Sequence, residues 1–167
     1  SVSDLVETAR YLKELHNEKV KILIWGAGDY VEELCEMIDN SGLDNIRYKG
    51  VVKKVMIPSV LIQGDVNVYT FRDGGTKYGI DLNKCFEYLA SGKPLIGNDD
   101  TLFSVIRKYD CGVEKKMDAK ELAEVIHKMS ELAPQEYARL CDNASAAAKE
   151  FDFSVLTGKL INIIENL

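Results

Sequence analysis

Residues 20–25, VKILIW, are apolar but for one lysine, and the Gly-Ala-Gly that follows stops the run. So short an apolar stretch, closed by glycine, predicts a strand buried on both faces, as in a parallel sheet. Parallel strands need crossover connections, so a chain of this kind must supply helices between its strands. Residues 3–16 place Leu5, Ala9, Leu12 and Leu15 at helical spacing. Residues 30–40 do the same with Val31, Leu34, Cys35 and Ile38, and Gly42 acts as a stop. Further strands are predicted over 46–52, 66–71, 94–97 and 112–115. Helices are predicted over 56–62, 82–90 and 101–109, with Pro58 tolerated in a first turn. Residues 72–81 form a polar, glycine-bearing loop longer than a usual connection, which marks it as functional.

Three helices close the chain. The first, 118–131, opens with the capping box Asp118 and Glu121. The second, 134–150, has proline in its first turn. The third, 154–167, is apolar at Leu156, Leu160, Ile161, Ile164 and Leu167, and is expected to pack on this same domain. Left uncovered, that face would favour self-association. The alternation predicts one α/β domain over 1–167, a Rossmann-like parallel sheet of about five strands with helices on both faces.

Composition narrows the function. A length of 167 residues, 46% of them hydrophobic, can bury a core. The net charge of −6 argues against a nucleic-acid surface. No apolar run is long enough for a spanning helix, and the N-terminus lacks the basic start and apolar stretch of a signal peptide. It also lacks Met, as expected of a piece cut from a larger protein. Cys35, Cys85, Cys111 and Cys141 are not at CxxC spacing and read as reduced thiols, and His16 and His127 are assigned no catalytic role. No His/Cys set points to a metal.

Ligands of such sheets bind outside the carboxyl ends of the strands. One candidate there is Gly26-Ala27-Gly28, between a strand and a helix. It is either a tight turn or part of a phosphate loop, and Val31 stands where a dinucleotide fingerprint wants its third glycine. The other candidate is GIDLNKCFEYLASG at 79–92. Asp81, Leu82 and Asn83 would offer free amides at a helix start, and Lys84 sits in the first turn, where a cation is disfavoured unless an anion lies nearby. Glu87 shares a face with Lys84 and could either pair with it or accept the two hydroxyls of a ribose.

NIRYKGVV, KCFEYLASGKPLIGND, YDCGV and NASAAAKEFDF together resemble the C-terminal domain of glycosyltransferase family 4, retaining enzymes of the GT-B fold. The most specific stretch is Lys84, Glu87, Tyr88, Ala90, Gly92, Lys93, Pro94 and Ile96, matching the form K-x-x-E-Y-x-A-x-G-K-P-x-I. The resemblance implies a nucleotide-sugar donor site, UDP- or GDP-linked, with no further cofactor. It implies that Glu87 holds the ribose, and that the backbone of Ile80, Asp81, Leu82 and Asn83 meets the diphosphate with Lys84 nearby. Val51 and Val52 would lie along the base, and Gly26 and Gly28 on the cleft floor. Tyr78 is the loop aromatic placed near a ligand.

In that family the acceptor, a carbohydrate or a lipid-linked one, is bound by an N-terminal domain. That domain, and the first strand with its Arg and Lys clamp, are expected to be missing here, so the chain alone would be inactive. The setting implied is cytoplasmic polysaccharide assembly, peripheral at the inner face of the membrane. One departure stands out: eight residues before Glu87 the family's first glutamate is replaced by Gly79, with Asp81 as a stand-in. Two other classes compete, an NAD(P)-dependent oxidoreductase half-domain and a non-catalytic partner-binding module.

Overall fold

A computed structural model describes residues 2–70, 83–99, 101 and 104–166. It opens with α1 (Val2–Glu14), β1 (Ile22–Ile24), α2 (Val31–Ser41) and β2 (Ile46–Tyr48). A 3-10 turn (Lys54–Met56) leads into α3 (Ile57–Leu61) and β3 (Asn67–Thr70). Then come α4 (Asn83–Ala90), β4 (Leu95–Asn98), α5 (Val105–Tyr109) and β5 (Gly112–Glu114). The chain closes with α6 (Ala119–Ser130), α7 (Pro134–Glu150) and α8 (Phe153–Glu165). The loop at 72–81, with Tyr78, lies outside the described residues.

The fold is α/β with parallel strands flanked by helices, as the alternation predicts. The described strands number five, but they form two sheets, β1-β2 and β3-β4-β5. Every pairing is parallel, Ile22 opposite Ile46 in one sheet and Leu95 opposite both Asn67 and Gly112 in the other.

The larger sheet is covered twice. Tyr69 and Leu95 join Cys85 and Leu89 of α4, Ile106 of α5 and Ala144 and Ala147 of α7 on one side. Ile96, Val68 and Val113 meet Leu122 and Met129 of α6 on the other. All four residues of β4 are therefore buried, and each strand sends alternate side chains to the two cores.

The smaller sheet is covered once. Val6 and Ala9 of α1 and Leu34 of α2 lie over Ile22, Ile24 and Ile46. Leu23 faces the other way and is 46% exposed. This corrects the reading of residues 20–25 as a strand buried on both faces. Both flanking helices sit on the Ile22 side, and strands of three residues leave the opposite side little to pack.

Polar contacts tie the two sheets together through α1, which packs on α6 as well as α2. The buried Thr8 hydroxyl donates to the Ala119 carbonyl at 3.2 Å. Asn17 reaches Ser130 Oγ at 2.8 Å and His127 Nδ1 at 2.9 Å, which gives His127 a structural role. Asn98 at the end of β4 exchanges two hydrogen bonds with the Met117 backbone, just before the predicted capping box, which forms as expected.

The closing helix departs from expectation. Each described side chain of α8 is exposed, and among its large apolar ones Phe153 stands out at 87%. It touches the rest of the molecule chiefly through α7. The apolar face is thus not packed on this domain.

The four cysteines are free. Burial pushes the Cys85 thiol up to about 12 and the Cys111 thiol up to about 11. A thiol-reactive aromatic disulfide at mild alkaline pH should therefore label the half-buried Cys35 and Cys141 in the folded chain. Cys85 and Cys111 should react only in denaturant, and prompt native labelling of either would contradict the α4–α5 core.

Candidate functional site

The carboxyl ends of the strands bring two of the predicted segments into contact. Gly26 follows β1 and donates its N–H to the Gly50 carbonyl, after β2, at 3.1 Å. Tyr48 closes the same corner, its hydroxyl donating to the Gly26 carbonyl at 2.6 Å. Gly26 and Gly50 have φ of 144° and 86°, values that side-chain-bearing residues rarely adopt. Gly26 and Gly28 are exposed with open space where a Cβ would stand. Val51 is exposed and Val52 half-buried directly beyond this corner. The glycine turn and the strand end therefore form one continuous lip.

The second segment starts α4. Of its proposed ligands, Gly79, Ile80, Asp81 and Leu82 lie outside the described residues; Asn83 is the first residue of the helix. Cys85 and Leu89 turn into the core. Glu87 lies on the opposite side of the helix, half-buried, and Lys84 on the same side is exposed. No ion pair joins Lys84 and Glu87 among the described residues. The purely structural reading, an i,i+3 salt bridge, is not what the side chains do. The helix packs beside α3, the element that follows the Gly50–Val52 lip.

The two helix starts differ in charge. The first turn of α2 carries Glu32 and Glu33, and no side chain caps it. The first turn of α4 has no acid and holds Lys84. An anion is repelled by carboxylates in a first turn and attracted by a lysine there. The two helix starts therefore present opposite charge to an anion.

Sequence reasoning missed a buried polar cluster at the carboxyl end of the larger sheet. Glu114 ends β5 with its side chain 2% exposed. Its Oε1 accepts a short hydrogen bond from the Tyr69 hydroxyl across β4. Gly97 lies between them, and a Cβ there would come 2.6 Å from the Tyr69 oxygen and 3.0 Å from Glu114 Cγ. Burial, and then Glu114, hold the Tyr69 hydroxyl protonated well above its ordinary range. Arg107 Nη1 donates to the Glu114 carbonyl at 3.1 Å and stands 3.9 Å from Oε2, which has no hydrogen-bond donor among the described residues. The available signal was an acid inside the apolar CGVE run. Among the described residues, no three His, Cys, Asp or Glu side chains converge as metal ligands, and no helix is long and apolar enough to cross a membrane.

The family described as "Glycosyl transferases group 1" matches residues 1–150 of this chain. No curated protein sequence matches it. Among solved structures, Anabaena Alr3699/HepE in complex with UDP is similar at a TM-score of 0.75 and 20% identity, over 99% of this chain and 45% of that one. A glycosyltransferase from Rickettsia africae ESF-5 is similar at a TM-score of 0.75 and 17% identity, over 99% and 44%. The pneumococcal O-GlcNAc transferase GtfA in complex with UDP and GlcNAc is similar at a TM-score of 0.72 and 20% identity, over 99% and 33%. The chain thus spans less than half the length of each of these structures.

The Tyr69–Glu114 bond should matter to stability. Tyr69→Phe leaves a buried carboxylate oxygen without its donor and should lower the unfolding free energy by about 1–3 kcal/mol in urea titration. A change within error would show that the carboxylate finds another donor.

Proposed function

We propose, because this chain belongs to the glycosyl transferases group 1 family, that it is the donor-binding half of a retaining glycosyltransferase of the GT-B fold. The parent enzyme moves a sugar from a nucleoside diphosphate to an acceptor hydroxyl, with retention at the anomeric carbon. The observation that carries this reading is the start of α4: a first turn free of acids, Lys84 within it, and an unpaired Glu87 one turn deeper, on a helix that packs beside α3. The UDP in the Anabaena and pneumococcal structures supports a uridine nucleotide here.

In this reading Glu87 accepts both ribose hydroxyls, and Val51 and Val52 lie along the base. Gly26 and Gly28 leave room for the ligand at the floor. The diphosphate takes the backbone amides of Ile80, Asp81, Leu82 and Asn83, with Lys84 at its side. As the glycosidic bond breaks, negative charge collects on the departing diphosphate. Fixed amides and a nearby cation stabilise that charge without reorganising.

In this reading the acceptor, a carbohydrate or a lipid-linked one, is bound by an N-terminal domain of the parent enzyme. Among the described residues β1 pairs only with β2 and β3 only with β4, so each sheet keeps an edge for the family's first strand. The exposed apolar face of α8 suits a crossing onto the N-terminal domain. Left uncovered, the same face favours self-association.

Two measurements test this. UDP-glucose at roughly 100 times its Kd should stabilise the chain by about 2.7 kcal/mol, read as a rise in melting temperature, and Glu87→Ala should remove the rise. An equal rise in the variant would overturn the ribose assignment, and a rise with NAD(P) alone would favour the oxidoreductase reading. In light scattering the chain should run as a dimer or larger, and Leu160→Lys with Ile164→Lys as a monomer. A monomeric parent chain would remove α8 as an apolar docking face.

A further inference from the structure

Glu114 is an unfavourable residue for its place. Its side chain is 2% exposed, and the hydrogen bond it accepts from the Tyr69 hydroxyl serves Oε1 alone. Oε2 has no hydrogen-bond donor among the described residues, and Arg107 Nη1 stands 3.9 Å away. A buried carboxylate served on one oxygen destabilises a fold, and an apolar pair of similar shape would fill the same space without that loss. What the polar pair supplies instead is direction. The Tyr69 hydroxyl lies over Gly97, where a Cβ would come within 2.6 Å of it, so one glycine opens the way from β3 to β5. The same hydroxyl hydrogen-bonds with the Cys85 thiol of α4. The Tyr69 ring stands 6.5 Å from that of Tyr88, and Cys85 and Leu89 share its core. Cys85 lies between Lys84 and Glu87 in the chain, on the inward side of the helix whose other side carries those two. Contacts thus run from the end of β5 through Tyr69 to the back of α4. Apolar packing is non-directional and lets a helix slide, whereas hydrogen bonds of defined geometry hold it in place.

We propose that Glu114 is a positioning residue: it fixes Tyr69, and Tyr69 fixes the placement of α4 and with it Glu87. What Glu87 then holds rests on the nucleotide reading above, whereas the placement of α4 stands on these contacts alone. Glu114 is itself buried and acts only through Tyr69. Arg107 supports it from behind, donating to the Glu114 carbonyl at 3.1 Å and to the Thr101 carbonyl, which ties the end of β5 to the segment after β4. A ligand-binding side chain is only as well placed as the side chains that support it.

Variants of the pair separate placement from stability. Tyr69→Phe alone leaves the carboxylate without its donor and lowers the melting temperature. Tyr69→Phe with Glu114→Leu removes both partners and should melt like the parent chain. In that double variant, amide hydrogen exchange over residues 83–90 should be faster by about tenfold, with exchange in α6 unchanged. Its Kd for UDP-glucose should rise about tenfold. Glu114→Gln, whose amide oxygen still accepts from Tyr69, should keep the parent Kd and the parent exchange. A double variant with parent-like exchange and Kd would overturn the proposal, because the pair would then do no more than hold the fold. Faster exchange with an unchanged Kd, or a Kd in Glu114→Gln as weak as in the double variant, would overturn it too. Should the double variant melt low, Tyr69→Phe read well below its own melting temperature takes its place. A parent chain that does not bind UDP-glucose would remove the nucleotide reading, and exchange over α4 then decides the placement by itself.

Discussion

Thr8 reaches across to the Ala119 carbonyl, and nine residues later Asn17 reaches Ser130 and His127. Between these two clasps the buried stripe of α1 holds two separate sheets in one molecule. Neither sheet pairs with the other through its backbone among the described residues. The position of the glycine lip relative to α4 therefore rests on helix packing, α1 on α6 and α3 beside α4. A helix contact fixes orientation through side-chain shape, so the candidate site is assembled by packing as much as by the strands it caps.

In the proposed reading the site is chosen by electrostatics at two helix starts, α2 after β1 and α4 after β3 in chain order. Glu32 and Glu33 set the first turn of α2 against an anion, whereas Lys84 sets the first turn of α4 in favour of one. A lysine there opposes the helix dipole in an empty protein. In the proposed reading a bound diphosphate offsets its cost to the isolated helix, the kind of local conflict expected at a functional position.

Local pattern made most of this legible. The strands lie where short apolar runs end in turn residues, and the capping box at Asp118 and Glu121 forms as spaced. The Gly26 turn and the Lys84–Glu87 face were likewise readable, because each depends on neighbours a few positions away. What escaped depends on distant residues. Leu23 reads as core from its run, but its exposure is set by the side on which α1 and α2 happen to cross. The burial of Glu114 required Tyr69 on another strand and the missing side chain of Gly97 between them. An apolar helix such as α8 announces that it needs cover, but its own residues do not say where that cover comes from.

The Asn98 side chain carries a mechanical consequence. Its paired bonds to Met117 imitate one more rung of sheet beyond the point where β4 and β5 part. The next residue, Asp118, caps α6, and the first helical residue, Ala119, receives Thr8 of α1. Hydrogen bonds and a short stretch of backbone thus lead from Asn98 through Met117, Asp118 and Ala119 to Thr8, on the helix that covers the smaller sheet. The end of β4 is coupled to α1 through that linkage, as one arm of a lever is to the other.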